Sequence, residues 1–249
     1  AQNTLGVQGV FPVPIAFLEQ QLASVLSDLG ADAIKTGMLH SVEVVTAVAL
    51  AIRGLGSNVK VVVDPVMVAK GGASLLAAEA QASVLRELCP LASVITPNAP
   101  EAEALTGLAV RNHEDQLRAG AALCRMGAQH ALIKGGHLEG ATVTDVLVSA
   151  DGTNHTWNSP LLKTSSTPGT GCTLASALTG RLGHDWLELP PIADDLVQSR
   201  LPDLHSPIAR ILFDETLPPL GGTRILTTIL ENLRQPLHGD IAVLSLPLF

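Results

Sequence analysis

Val59-Lys60-Val61-Val62-Val63-Asp64-Pro65-Val66-Met67 is a nearly unbroken β-branched run closed by an acid and a proline, and it reads as a buried strand that ends in a turn. Working outward, three more short apolar runs have the same character, at residues 33–36, 93–96 and 131–134. Residues 15–29, 42–55, 77–88 and 113–126 instead carry apolar side chains at helical spacing, with Ser41 and Asn112 as caps. Strand alternating with helix predicts an α/β fold: a doubly wound, mostly parallel sheet flanked by helices. Gly37, Pro65, Pro97 and Gly135 punctuate the strand ends. Ligands of such sheets bind outside the carboxyl ends of the strands, so the polar residues there are the candidates for chemistry.

Composition narrows the field. The 249 residues are 47% hydrophobic, enough for a large core, and carry a formal charge of −8 from 15 basic and 23 acidic residues. That balance, without a long Lys/Arg run, argues against nucleic acid or an anionic membrane as partner. Cys89, Cys124 and Cys172 have neither metal-ligand spacing nor an even disulfide count, which suits a reducing cytoplasm. We see no apolar run of membrane-spanning length and no secretion signal. Residues 183–249 differ from the rest: they hold eight of the 16 prolines and no lysine. We place a boundary there, with a core at 1–182 and a Pro/Leu-rich tail at 183–249, in which Ile225, Leu226, Ile229, Leu230 and Leu233 suggest a short helix and residues 241–246 a strand.

Four polar clusters follow the strands. Asp64 ends the first-quoted run, where it would attract magnesium or a substrate hydroxyl, although Asp before Pro equally begins a turn. Thr96-Pro97-Asn98-Ala99-Pro100-Glu101 supplies an amide and a carboxylate three residues apart, suited to hydrated magnesium or, as readily, to a helix start. Lys134-Gly135-Gly136-His137 pairs a cation with backbone able to approach an anion. Pro168-Gly169-Thr170-Gly171-Cys172-Thr173 leads into an apolar helix, so the unpaired N–H groups and positive end of that helix make an anion hole, whose field would also favour a thiolate at Cys172. No Walker loop is present, because Ile34 and Leu162 precede the pairs Lys35-Thr36 and Lys163-Thr164 where glycine is required. The last glycine of the dinucleotide fingerprint is missing as well. The histidines lack zinc spacing, and of them His137 alone sits in a polar cluster. Met38 and Met67 lie beside strand ends, either as core filler or as ligand contacts.

Gln2-Asn-Thr, Lys35-Thr-Gly-Met-Leu39, Val63-Asp-Pro-Val-Met67, Ile95-Thr-Pro-Asn-Ala-Pro-Glu101, Lys134-Gly-Gly-His137 and Gly169-Thr-Gly-Cys-Thr-Leu174 occur in one order. Together they closely resemble the hydroxymethylpyrimidine/phosphomethylpyrimidine kinases of thiamine biosynthesis, from Ala1 to about Leu182. The resemblance implies a ribokinase-like fold and transfer of the ATP γ-phosphate to 4-amino-5-hydroxymethyl-2-methylpyrimidine and then to its monophosphate, with magnesium accompanying ATP. It implies Cys172 as the base for the substrate hydroxyl, with Gly169, Thr170 and Gly171 as the anion hole. Asn98 and Glu101 would organise magnesium, Lys134 would contact the ATP phosphates, and Asp64 would lie near the metal or the transferred group. Gln2 would hydrogen-bond the aminopyrimidine and Met38 would pack on its ring. A homodimer is the expected assembly.

The sequence departs from the family pattern in three places. Pro168 stands where the family usually has His, removing a backbone donor beside the hole. Ala1 aligns inside the pattern, so the family's first strand, Gly-rich turn and first helix are expected to lie upstream and the sheet to be incomplete. The closing helices are not recognisable after Gly183. Two other readings follow: a pyridoxal/pyridoxine kinase, and a nucleotide-binding remnant without turnover.

Overall fold

The computed structural model describes residues 2–3, 6–67, 78–138, 140–161, 169–182 and 244–245. Its main sheet has seven strands: β3 (Ala33–Thr36), β4 (Lys60–Val63), β5 (Val94–Ile95), β6 (His130–Ile133), β7 (Thr142–Ser149), β8 (Asn154–Pro160) and β9 (Leu244–Ser245). They lie in the order β8-β7-β6-β5-β4-β3-β9, parallel from β6 through β9 and antiparallel from β6 to β8. A separate antiparallel ribbon pairs β1 (Gln2–Asn3) with β2 (Gly6–Val7). The four strands read from apolar runs are the parallel core, while the β7–β8 hairpin was not foreseen. Its signal is Asp151-Gly152, a turn pair favoured in hairpins, with Gly152 at φ +88°.

Helices form where the pattern places them. α1 (Ile15–Asp28) buries Leu18 and Leu22, and α2 (Val42–Gly54) begins at Ser41, whose hydroxyl accepts from the Val44 N–H. α4 (Ala99–Thr106) and α5 (His113–Arg125) begin at Asn98 and Asn112, each side chain accepting an N–H of the first turn. The helix expected at residues 77–88 is broken: α3 (Ala78–Ser83) gives way to a π-helical turn at Val84–Leu88 and a 3-10 turn at Cys89–Leu91. Pro90 explains the change, having no N–H to donate and crowding the carbonyl four residues earlier.

Both faces of the sheet are covered. Ile34, Val61, Val63, Ile95 and Ile133 join one core with side chains from α1 to α5. Val94, Leu132 and Leu147 instead meet Leu174 and Ala177 of α6 (Thr170–Leu182) on the opposite face. Successive strand residues point to opposite faces, so the residue next to each member of the first core faces α6. Lys35, Asp64, Thr96 and Lys134 are those neighbours. The possible helix near Ile225 lies outside the described residues, and β9 falls within the strand read at 241–246.

Candidate active site

Asp64, 2% exposed, is the centre of the cluster under α6. Its Oδ1 accepts from Thr96 Oγ1 at 3.2 Å and from Lys134 Nζ at 3.4 Å. Lys35 Nζ lies 3.5 Å from Oδ2, close enough for an ion pair, yet Oδ2 has no hydrogen-bond partner among the described residues. Sequence reading quoted Lys35 only within a motif and passed over Thr96. Both have the strand parity of Asp64 and Lys134, which is the signal that marks them.

The turn after β6 aims Lys134. Gly135 N–H donates to Asp145 Oδ1 at 2.8 Å, and Gln116 Nε2 donates to the carbonyls of Ile133 and Thr144. A Cβ on Gly135 would stand 1.9 Å from the Thr144 carbonyl oxygen, so no side chain fits there. Burial raises the Asp145 carboxyl to about 6, against the pull of the Gly135 N–H and the Lys134 charge. Neither Asp145 nor Gln116 was foreseen; both act on backbone, which leaves no motif. Burial together with Lys134 pushes the His137 imidazole down.

The Gly-rich entrance to α6 closes the cluster from above. Gly169 has φ +83°, a conformation that favours glycine, and its carbonyl accepts from the Thr173 N–H and hydroxyl. The N–H groups of Gly171 and Cys172 lie in the first turn, where no intrahelical acceptor exists. A Cβ on Gly171 would be 3.2 Å from Lys134 Nζ, so the helix mouth and the lysine share one site. Cys172 stands at that mouth, open to solvent on its outer side and hydrogen-bonded to Asp64 on its inner one. Here the sequence expectation is corrected: the thiol is raised, not lowered. Its desolvated position is the main cause, and the Asp64 charge and hydrogen bond add to it, outweighing Lys35 and Lys134.

The pair expected to organise magnesium is engaged in a capping box. Asn98 Oδ1 accepts from the Glu101 N–H at 2.9 Å, and Glu101 Oε2 accepts from the Asn98 N–H at 2.8 Å. Asn98 thus serves the helix start, its Oδ1 using one lone pair for the Glu101 N–H. Glu101 is 9% exposed; burial raises its carboxyl while Lys134 pulls it down. No group of three His, Cys, Asp or Glu side chains is placed to hold a metal among the described residues. Magnesium retains several waters and takes few carboxylates, so the donor set fits an ion held by Glu101 through water. Met38 is half-buried in the loop after β3, and Gln2 lies on the β1–β2 ribbon. Pro168 lies outside the described residues.

A family model described as phosphomethylpyrimidine kinase matches residues 1–191. A hydroxymethylpyrimidine/phosphomethylpyrimidine kinase of Bacillus subtilis is 48% identical over 183 residues, 73% of this chain and 66% of the relative. The chain thus spans about two thirds of that relative's length. A solved phosphomethylpyrimidine kinase from Clostridium difficile is 36% identical with a TM-score of 0.63, covering 73% of each chain. The pyridoxal kinase of Staphylococcus aureus, solved with AMP-PCP and pyridoxal, is 35% identical with a TM-score of 0.63, covering 70% of this chain and 62% of its own. At these identities the ribokinase-like fold of those enzymes is the fold of this chain.

Proposed function

Because the chain belongs to the phosphomethylpyrimidine kinase family, we propose that it acts as an ATP-dependent kinase of 4-amino-5-hydroxymethyl-2-methylpyrimidine and its monophosphate in thiamine biosynthesis. The observation that carries this reading is the convergence of Asp64 and Lys134 on Cys172 at the start of α6. Phosphoryl transfer depends mainly on positioning and charge stabilisation. Backbone N–H groups of Gly169, Thr170 and Gly171 at the entrance to α6 would donate to the phosphoryl oxygens, with Lys134 as the cation beside them. The hydroxymethyl oxygen bonds to the γ-phosphorus as its proton passes to the Cys172 thiolate, and the bond to the β-phosphate oxygen breaks to release ADP. A loose transition state asks little of the base until late, so the minor thiolate fraction of a Cys172 with raised pKa suffices. Magnesium, held by Glu101 through water, would neutralise phosphate charge. Gln2 and Met38 are assigned to the pyrimidine.

We place the kinase core in residues 1–182 and assign no role to 183–249. No helix among the described residues is long and apolar enough to cross a membrane, and a cytoplasmic location is part of the proposal. Exposed Phe11, Phe17 and Leu50 are the kind of apolar surface that a second copy covers in a homodimer. The deciding experiment supplies Mg-ATP with hydroxymethylpyrimidine, its monophosphate or pyridoxal and follows phosphorylated product. Turnover of the pyrimidines supports the proposal. Preference for pyridoxal would favour the second reading, which rests on the likeness to the Staphylococcus pyridoxal kinase. Nucleotide binding without product would leave a binding module.

A further inference from the structure

Asp64 faces two ammonium groups, and their settings differ. Lys35 is 7% exposed and has Asp64 as its one ion-pair partner among the described residues. Lys134 is 15% exposed, meets Asp64 at the long end of hydrogen-bond range, and also faces Glu101. The deeper lysine has no other carboxylate to pair with among the described residues, and an unpaired buried cation is costly. The shallower one lies beside Gly171 at the helix mouth.

We propose that Lys35 is a positioning residue: the standing counter-ion of Asp64, whose presence releases Lys134 from Asp64 to an incoming nucleotide phosphate. This rests on the reading of Lys134 as a phosphate contact. Without Lys35, Lys134 is the only cation among the described residues paired with Asp64, whose Oδ2 has no hydrogen-bond donor among them. A phosphate that drew Lys134 away would then leave Asp64 buried and uncompensated. The binding-competent arrangement becomes rare, and apparent affinity falls in the same proportion.

The test is calorimetric titration of the full chain with magnesium AMP-PCP, with thermal melts to establish that each variant is folded. Lys35→Met is expected to weaken binding about tenfold or more, and Lys35→Arg to stay within about threefold of wild type. The decisive comparison places Lys35→Met in an Asp64→Asn background: with Asp64 neutral nothing detains Lys134, so adding Lys35→Met should change the affinity of Asp64→Asn by less than about threefold. A purely structural role for Lys35 predicts no such suppression. Normal binding by Lys35→Met, or an equal loss on adding Lys35→Met to folded Asp64→Asn, overturns the proposal while leaving the phosphate role of Lys134 intact. Unchanged binding by Lys134→Met, or a wild-type chain that binds no AMP-PCP, overturns both.

Discussion

Cys172 stands in opposing fields: desolvation and Asp64 favour the protonated thiol, Lys35 and Lys134 the thiolate. The first two prevail, so the thiol is protonated at neutral pH and the base form grows as pH rises. We expect kcat/KM to climb through the alkaline range, and iodoacetamide to label Cys172 slowly at pH 7 and faster toward pH 9, read by mass spectrometry. A Cys172→Ala variant should lose roughly 10²- to 10⁴-fold in kcat while keeping its AMP-PCP affinity. Alkylation already fast at pH 7 would show that the helix field dominates. Asp145 gives the opposite kind of test, on stability. Its carboxyl is raised from 3.8 to about 6, so between those values the native state holds a proton that the unfolded chain has shed. Its contribution is therefore full below the lower value and is lost as pH rises through about 6. Asp145→Asn keeps an acceptor for the Gly135 N–H and removes this slope. Urea denaturation of the two proteins should show the variant gaining relative to wild type as pH rises from about 4 to 7; a constant difference would contradict the assigned shift.

At the scale of elements, the β6 turn and the start of α4 are held by backbone contacts that substitutions can address. Gly135→Ala would drive a methyl into the Thr144 carbonyl, so the turn must move. We expect a loss of at least roughly 1–3 kcal/mol in chemical denaturation, with weakened AMP-PCP binding because Lys134 leaves its place. Asn98→Ala removes half of a capping box and should cost about 1 kcal/mol, measured the same way. How far these elements could be read in advance follows from the range of the forces involved. Strands β3 to β6 and helices α1, α2 and α5 were legible because apolar period and cap residues are local. The β7–β8 hairpin was missed although Asp151-Gly152 signals it, and the π-helical turn before Pro90 disturbs a pattern that remains apolar throughout. Asn98 and Glu101 were read as magnesium ligands or a helix start; which of these holds depends on where Asn98 Oδ1 points, and spacing alone does not fix that.

At the scale of the whole molecule, the site exists because residues far apart in the chain come to one face. Lys35 lies in β3, and Asp64, Thr96 and Lys134 directly follow the three adjacent parallel strands β4, β5 and β6, with α6 over them and Cys172 at its tip. Parity along each strand was readable, but strand order, the pairing of β9 with β3, and the field at Cys172 depend on long-range packing. A ligand bridging Lys134 and the α6 entrance would tie β3 to β6 and that helix into one unit, and it would bind the folded chain alone. By linkage, magnesium AMP-PCP at a hundred times its dissociation constant should add about 2.7 kcal/mol of stability. For a chain of this length each kcal/mol moves Tm by about 2–4 °C, so the melt should rise by roughly 5–10 °C and keep rising with ligand concentration. Lys134→Met should lose most of that shift at the same concentration, whereas Cys172→Ala should retain it, because the thiol accepts a proton and does not hold phosphate. Equal shifts in wild type and Lys134→Met would place the nucleotide elsewhere on the molecule.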